Sequence, residues 1–567
     1  MRKPIAMICW ILSGLVLTSS VRGAEPVKWK APGPNIALGK TYEVAKAGKC
    51  FDYDLSKDEG DKVQLTDGQF SPLVKHLWWY KEAVGWYMGT VSLTLDLGEV
   101  KPIAGVGYST DSGSSVGWPP AIVILVSDDG KEFRVAGELV GLAAKFGPPP
   151  ALGRHMFRTD ELQTRGRYVQ LVVQSGLFVM TDEIEIYEGK PEYLKREVTG
   201  PVIANPLEYV RANITPYAVS ARLATDTARA RARIEAIGTP EKALKPIEAK
   251  LEELRQAALK PEMITYDRDF RAVAPMNALH AQILAAMSPA YRAAGYPEFM
   301  AWTTSRWARL SPFDGPAAPA AATTNGVTLA VRVAQNDRRG EVVSVANFSD
   351  AAKTAMVSVA GLPGGAKPAY LNVKQAEFVA LHSRVWDADA LPDAAAVKDG
   401  WTVTLPAGLS RQLWLDIQVK PGSCPAGTHQ GELVVKVAGG PELRVPLTLT
   451  VDDVVLPEEK AVSVGNWDYA HGGSRGNPDA RGSAGYALHE GNIDAAIKQM
   501  RDSGVTVPWA IIQWSKKDVW PIWGAEFDEA DNLVKPANME VFDAWIKSWP
   551  GARYYAIVAG IAPNYGG

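Results

Sequence analysis

Aromatic side chains able to stack on a sugar ring crowd one short stretch of the chain. Trp78, Trp79, Tyr80, Trp86 and Tyr87 precede the run LTLDLG, and Trp118 stands before Pro119-Pro120. A pyranose presents apolar C–H faces, so an exposed indole or phenol can cover one while a nearby Asn, Asp or Arg binds its hydroxyls. A fold of this size must also bury some of these rings, and Trp86 is the one expected in the core. Trp79 and Trp118 are expected as an exposed platform, with Phe178 beside them in the loop 176–180. Arg154, next to His155, is expected to add polar contacts, although a loop Arg or His commonly has no such role. No CxxC or HExxH spacing occurs, so a zinc centre is not expected. Nothing in the pattern assigns a catalytic residue.

The elements that must hold these side chains are strands. From residue 35 the chain reads NIALGKTYEV, LTDGQF (65–70), GWYMGTVSLTLDLGEV (85–100), VILVSDDGKEF (123–133), RGRYVQLVV (165–173) and TDEIEIYEG (181–189). Short runs of alternating or continuous apolar character, punctuated by Gly, Asp and Pro, predict an antiparallel β-sandwich. The order of these pieces resembles the discoidin, or coagulation-factor type C, module, a galactose-binding-like fold. The resemblance is carried by residues 35–187, predicts a module over 25–195 and implies a sugar or lipid headgroup held in loops at one end. It also implies a structural calcium ion between the turn carrying Asp67 and the strand opened by Glu183, because hard oxygen ligands suit that ion. The alternative is that Asp67 caps a turn and Glu183 lies on the surface.

The chain's 60 basic and 63 acidic residues give a net charge of −3, which recommends no nucleic-acid partner. At 567 residues it is expected to form several cores. Residues 1–24 read as a signal peptide: Arg2 and Lys3, an apolar run from Ile5 to Leu17, then small residues up to Ala24. A secreted or periplasmic location follows. The run is too short for a comfortable span and no other stretch of 18 apolar residues follows, so no membrane span is expected. Cys50 and Cys424 fall in different segments of the mature chain, so stability is expected from cores rather than a disulfide framework.

After the first sandwich the period changes. Tyr209–Ile237 and Pro240–Leu259 predict a helical hairpin spacer over 205–262, divided by Gly238-Thr239-Pro240, with an apolar stripe at Leu244, Ile247, Leu251 and Leu254. Its Arg222, Arg229, Arg231 and Arg233 are expected on a solvated face. A mixed segment and the Pro/Ala linker PAAPAAATT fill 263–325, and a second β-sandwich follows over 326–457. From 458 to 567, apolar strands alternate with helical stretches, the pattern of parallel pairing at the start of a β/α barrel.

The turn from Ala426-Gly427 to Gly431, the Leu-Trp-Leu strand at 413–415 and the exit from Val451 to Leu456-Pro457 resemble glycoside hydrolases of the family 123 type. That resemblance implies a TIM-like barrel whose adjacent Asp-Glu pair orients the substrate's acetamido group and donates a proton. Only about three of the eight strands such a barrel needs are legible, so the barrel is expected to be incomplete in this chain. Asp528-Glu529 is expected to be a solvated loop rather than the missing pair. Trp467, Asp468 and Tyr469 after the first strand, and Trp514 after the second, are expected to bind sugar, since βα loops build the substrate face.

The expectation is therefore an exported, multidomain, mainly β protein that binds a glycan and belongs to glycan degradation. It carries a possible structural Ca2+ and no organic cofactor. O-glycosyl hydrolysis is expected if the gene continues past residue 567. The competing reading is a non-catalytic adhesion or cell-envelope protein that uses the first module alone. A lipid-headgroup reading would require projecting apolar side chains flanked by Lys or Arg, for which LWWYK (77–81) is the candidate.

Overall fold

A computed structural model describes residues 28–47, 51–54, 63–113, 116–266, 273–319, 326–380, 385–458, 462–467, 493–513, 526–530, 532–536, 543 and 546–560. The chain divides into two compact units, 1–455 and 456–567. The signal-peptide segment lies outside the described residues.

The first unit begins with a seven-stranded sheet built from β1 (Tyr42–Ala47), β2 (Phe51–Asp54), β3 (Val84–Ser112), β4 (Ile122–Ser127), β5 (Arg134–Glu138), β6 (Gly153–Arg158) and β7 (Thr164–Glu188). Its order is β1-β3-β7-β4-β5, with β2 and β6 also on β3. The long strands β3 and β7 meet in two stretches. Val84 faces Thr181 and Pro102 faces Arg165, then the register jumps so that Ile103 faces Glu188 and Thr110 faces Thr181. The sheet thereby curls over one core, to which Leu93, Tyr108, Ile124 and Leu171 contribute from different strands. Trp86 is in that core, as its setting in an apolar strand predicts.

A helical layer follows α1 (Leu139–Ala143): α2 (Pro206–Ala212), α3 (Ile214–Ala236), α4 (Glu241–Ala258), α5 (Ala278–Ala285) and α6 (Ser288–Ala293). The continuous helix expected from Tyr209 breaks at Asn213. Pro216 has no N–H to donate and its ring would clash with the carbonyl of Ala212, so it is accommodated in the first turn of a new helix. Gly238 ends α3 at φ 71°, a conformation that favours glycine. Ile247, Leu251 and Leu254 form the buried face of α4.

These helices are not surrounded by solvent. Tyr217 packs with Val123 and Leu125 of the first sheet. Ile234, Ile247 and Leu251 share a core with Phe348, Phe378 and Trp386 of the strands that follow. The expected solvated arginine face is correspondingly wrong. Asp226 of α3 is fully buried and pairs with Arg229 at 2.6 Å. It also accepts the Trp386 indole N–H at 2.9 Å and lies 3.3 Å from His280 Nε2. His280 Nδ1 accepts from the Met276 N–H at 3.1 Å, which leaves the imidazole proton on the nitrogen facing Asp226. Arg222 lies over the Trp386 ring, and burial pulls its guanidinium down to about 10. Arg233 donates to the Tyr291 hydroxyl and the Pro316 carbonyl. An apolar surface on both sides of α3 turned these charges inward.

The remaining strands of this unit are β8 (Phe299–Trp302), β9 (Leu329–Gln335), β10 (Asp337–Asn347), β11 (Lys353–Ala360), β12 (Leu371–Gln375), β13 (Glu377–Ala380), β14 (Trp386–Ala390), β15 (Ala395–Val397), β16 (Gly400–Leu405), β17 (Leu409–Val419), β18 (Gly427–Val437) and β19 (Glu442–Val455). They make a four-stranded sheet, β12-β17-β10-β8, and a six-stranded one, β15-β16-β11-β18-β19-β9, while β13 pairs β14. Alternate residues such as Val343, Val345, Leu433 and Val435 fill the core shared by the two sheets.

In the second unit, β20 (Gly465–Trp467), β21 (Val507–Gln513) and β24 (Ala556–Gly560) form a parallel sheet in that order. Helix α7 (Ile493–Asp502) precedes β21, and its Ile497 is buried with Trp549. A small antiparallel pair, β22 (Glu526–Phe527) with β23 (Leu533–Lys535), lies between β21 and β24 in the chain. Parallel pairing is what the apolar strands predicted. Asp528 accepts from the Asn532 side-chain amide at 3.0 Å and from the N–H groups of Asn532 and Ala530, both at 2.9 Å, which together hold its carboxyl below the usual range and make it a turn cap.

Candidate functional site

Among the described residues between β2 and β3, 63–83, the regular element is a single tight turn, Leu77–Trp79. Its conformation is imposed from the sheet below. Asp111, near the end of β3, accepts the Leu77 N–H at 2.9 Å and lies 3.0 Å from His76 Nδ1. Asp182, on β7, accepts the Ser71 N–H at 2.8 Å and the Ser109 hydroxyl at 2.5 Å. Arg154 of β6 completes the clamp. Its Nη1 donates to Asp182 at 3.0 Å and its Nε lies 3.4 Å from Asp111. Its Nη2 donates to the carbonyls of Pro72 and Lys75 at 3.2 and 3.3 Å. Both aspartates are fully buried, so one guanidinium and a set of backbone amides compensate two carboxylates that burial alone would make costly.

This arrangement presents two kinds of group. The His76 ring is held through Nδ1, which leaves Nε2 to meet a ligand, and it stacks on Trp78 with centroids 4.1 Å apart and planes 6° apart. A Cβ on Gly113 would come within 2.7 Å of that ring, so the turn after β3 needs glycine for close approach. Trp79 is 62 % exposed, with Lys75 Nζ 5.5 Å from the centroid of its ring. Phe178 packs on Tyr87 at 4.7 Å and, with Trp78, borders the small apolar cluster of Leu77, Val116 and Met180. A flat indole open to water beside an oriented imidazole can receive a ring with an apolar face and hydroxyls at its edge.

The sequence-predicted residues divide accordingly. Trp79 is exposed as expected, and Phe178 is half-buried at the same end of the sheet. Trp118 is not a platform: it is 2 % exposed, a core residue whose indole N–H donates to the Pro150 carbonyl at 3.1 Å. The chain at 148–150 covers what the neighbouring prolines made look like an open loop. Arg154 is not a free ligand contact either: its Nη1 and Nη2 are engaged in the clamp, and its Nε, 3.4 Å from Asp111, is buried without a hydrogen bond. His155 packs edge-on against Trp118 and Phe157, and burial, with the Arg158 charge behind it, pulls its imidazole down to about 4. His76, Asp111 and Asp182 are site residues that the sequence reading missed. A histidine beside a tryptophan pair was the only available signal. Trp467 is placed in β20, though only its backbone is described. Asp468, Tyr469 and Trp514 lie outside the described residues.

Asp67 and Glu183 are brought together. Glu183 is fully buried, not a surface residue, and accepts the Gly68 N–H at 3.1 Å through Oε2 while Oε1 has no hydrogen-bond partner. Burial, partly offset by that hydrogen bond and reinforced by the Asp67 charge, pushes its carboxyl up to about 8. Asp67 also caps its own turn through the Gln69 N–H at 2.7 Å. Two neighbouring carboxylates with an orphaned buried oxygen fit a hard cation. Among the described residues no group of three or more acidic, His or Cys side chains gathers as a metal site, so further ligands would have to be backbone oxygens or water.

No family model matches this chain, and no curated protein matches it. Among solved structures, a family 123 glycoside hydrolase from Clostridium perfringens is similar at 10 % identity and a TM-score of 0.28, over 39 % of this chain. The matched region spans 40 % of that hydrolase's length. The family 32 CBM of NanJ from Clostridium perfringens, solved with galactose, is 12 % identical over 26 % of this chain and 93 % of its own, at a TM-score of 0.18. A fucose binding module from Streptococcus pneumoniae is 12 % identical over 29 % of this chain and 100 % of its own, at a TM-score of 0.20.

Proposed function

We propose that the first sheet is a carbohydrate-recognition module in an exported protein of glycan degradation. In this reading Trp79 stacks on the apolar face of a saccharide, and His76 exchanges a hydrogen bond with one of its hydroxyls through Nε2. The observation that carries it is the solvent-open Trp79 beside an imidazole whose orientation is fixed by the buried Asp111. The signal-like segment 1–24 supports export, and the parallel strands β20, β21 and β24 support a β/α barrel over 458–567, with Trp467, Asp468, Tyr469 and Trp514 lining its substrate face. A structural Ca2+ would be held by Glu183 and Asp67 and would fix the turn at Gly68 against β7. Glycan-array binding by the chain tests the reading. Trp79→Ala should abolish retention of the bound glycans without lowering the unfolding midpoint, His76→Ala should reduce it, and unchanged retention in both variants would refute it. For calcium, the midpoint should rise with the ion in wild type and not in Glu183→Gln.

A second reading is favoured by one specific observation. Leu73 and Val74 are 82 and 86 % exposed on the same loop as Trp79 and Lys75, the arrangement by which a loop enters the headgroup region of a bilayer. Co-sedimentation with phosphatidylserine vesicles, lost in Leu73→Ser/Val74→Ser, would support it. No helix among the described residues is long and apolar enough to cross a membrane.

A further inference from the structure

A cleft of about 540 Å³ lies away from the His76–Trp79 loop, where α3 and α4 face the segment after α1. Its floor is Ala228 and Ala232 of α3 with Ala249 of α4, small side chains that leave the space open, and Phe146 and Pro148 give it an apolar wall. Its size is that of a small-molecule site.

The polar groups around this floor are incompletely matched. At one end Arg255 is only 1 % exposed. Its Nε and Nη2 bond the Glu252 and Glu161 carboxylates at 2.8–3.1 Å, but its Nη1 has no partner. A buried guanidinium N–H without an acceptor is costly, and an oxygen entering the cleft would relieve it. At the other end Glu235 and Glu248, from the two helices, line the cleft beside Arg231 and Lys245, with neither carboxylate within hydrogen-bond or ion-pair distance of them. Burial pushes the Glu235 carboxyl up, and the Glu248 charge adds to this against Arg231. Seven residues of α4 separate Glu248 from Arg255, about 10 Å along the helix. The cleft therefore offers acceptors for a cation at one end, a buried donor for an oxygen at the other, and an apolar floor between them.

We propose that this cleft is a second ligand site, taking a short saccharide with an unsubstituted amino group. The ammonium is held between Glu235 and Glu248, a hydroxyl or ring oxygen accepts from Arg255 Nη1, and the apolar face of the sugar lies on the alanines. About 10 Å corresponds to roughly two pyranose rings, so a disaccharide spans the site. A neutral sugar would leave the two carboxylates with only the more distant Arg231 and Lys245 charges, and an N-acetylated one would remove the cation they select. The inference shares with the reading of the Trp79 loop only the idea that the protein handles saccharides, and uses none of the loop's residues.

Titration calorimetry of the full chain with three probes tests it: the β-1,4 disaccharide of glucosamine, its di-N-acetylated form, and cellobiose. The glucosamine disaccharide should bind at least tenfold more tightly than the other two. Glu248→Gln should weaken it tenfold or more, as should Ala232→Phe, which fills the floor. Trp79→Ala/His76→Ala should leave this binding unchanged, so that failure of the loop reading and failure of this one remain distinct. Equal affinity for cellobiose, no binding of the glucosamine disaccharide, or undiminished affinity in Glu248→Gln with an unchanged unfolding midpoint would each overturn the proposal. Loss of binding in the Trp79→Ala/His76→Ala variant would also overturn it, by moving the amine to the loop.

Discussion

Two buried charge clusters in the first unit are built from similar parts and serve opposite ends. At the helical layer Asp226 is enclosed by Arg229, the Trp386 indole and His280, with Arg222 stacked on the same indole. Every element that meets there, α3, α5 and β14, is part of the shared apolar core. Beneath the exposed loop, Asp111 and Asp182 share one arginine and several backbone amides, and one member of the set, His76, emerges into solvent. That cluster also leaves the hydroxyls of Ser71 and Ser112 without partners. A closed cluster joins elements, whereas one open on a single side aims a side chain outward. The contrast gives a physical reason to place recognition at the loop.

The strongest way to break the contrast is to remove the shared carboxylate of the closed cluster. Asp226→Ala removes the carboxylate that Arg229, Arg222 and His280 share and leaves the Trp386 N–H without that acceptor, and should cost about 3–5 kcal/mol. The denaturant midpoint of the chain reports it. A cost below about 1 kcal/mol would mean that the apolar contacts around α3 carry the junction alone. Arg154→Ala is the matching change at the open cluster and should cost less, about 2–3 kcal/mol. Asp111 keeps the Leu77 and Ser112 N–H groups, and Asp182 keeps the Ser71 N–H and the Ser109 hydroxyl. The loss should be local. Amide exchange at Ser71 and Leu77 should speed up while that of the β4 amides stays slow, and uniform acceleration would contradict the clamp.

How much of this was legible follows from the range of each interaction. Strand alternation and turn residues are local signals, and they predicted both β-regions, the core position of Trp86 and the parallel strands of the second unit. Trp118 was misplaced because its cover comes from Pro150, 32 residues away. Arg154 looked free because the carbonyls it binds, on Pro72 and Lys75, lie about 80 residues earlier in the chain. The arginines of α3 looked solvated because helical spacing shows which residues share a face but not that both faces are covered. Trp79 was legible for the converse reason, since exposure requires no distant partner.

A pH titration sharpens the comparison from beneath the loop. His155 is held neutral by burial against Trp118 and Phe157, with the Arg158 charge adding to the effect, so its imidazole falls from an ordinary 6.5 to about 4. The unfolded chain takes up this proton more readily than the folded one. Its stabilising contribution is therefore fully present above pH 6.5 and is lost as the pH falls from 6.5 towards 4. The loss should reach about 2 kcal/mol after allowance for residual solvent contact. His155→Gln should flatten the dependence over that window, and an unchanged slope would place the titration elsewhere.

The smallest effect on stability should accompany the largest effect on binding. Trp79 packs into neither the clamp nor a core, and the Lys75 ammonium lies 5.5 Å from its ring centroid. Exposed substitutions of this kind usually change stability by no more than about 0.5 kcal/mol. Trp79→Ala should therefore leave the denaturant midpoint and the exchange rates of Ser71 and Leu77 where they are, yet remove glycan retention. His76→Ala removes the neighbouring donor and leaves the indole, so a saccharide held mainly by stacking would survive it at reduced affinity. If Trp79→Ala instead destabilised the loop as Arg154→Ala does, the indole would be part of the scaffold, and the open cluster would have no outward-facing partner to aim.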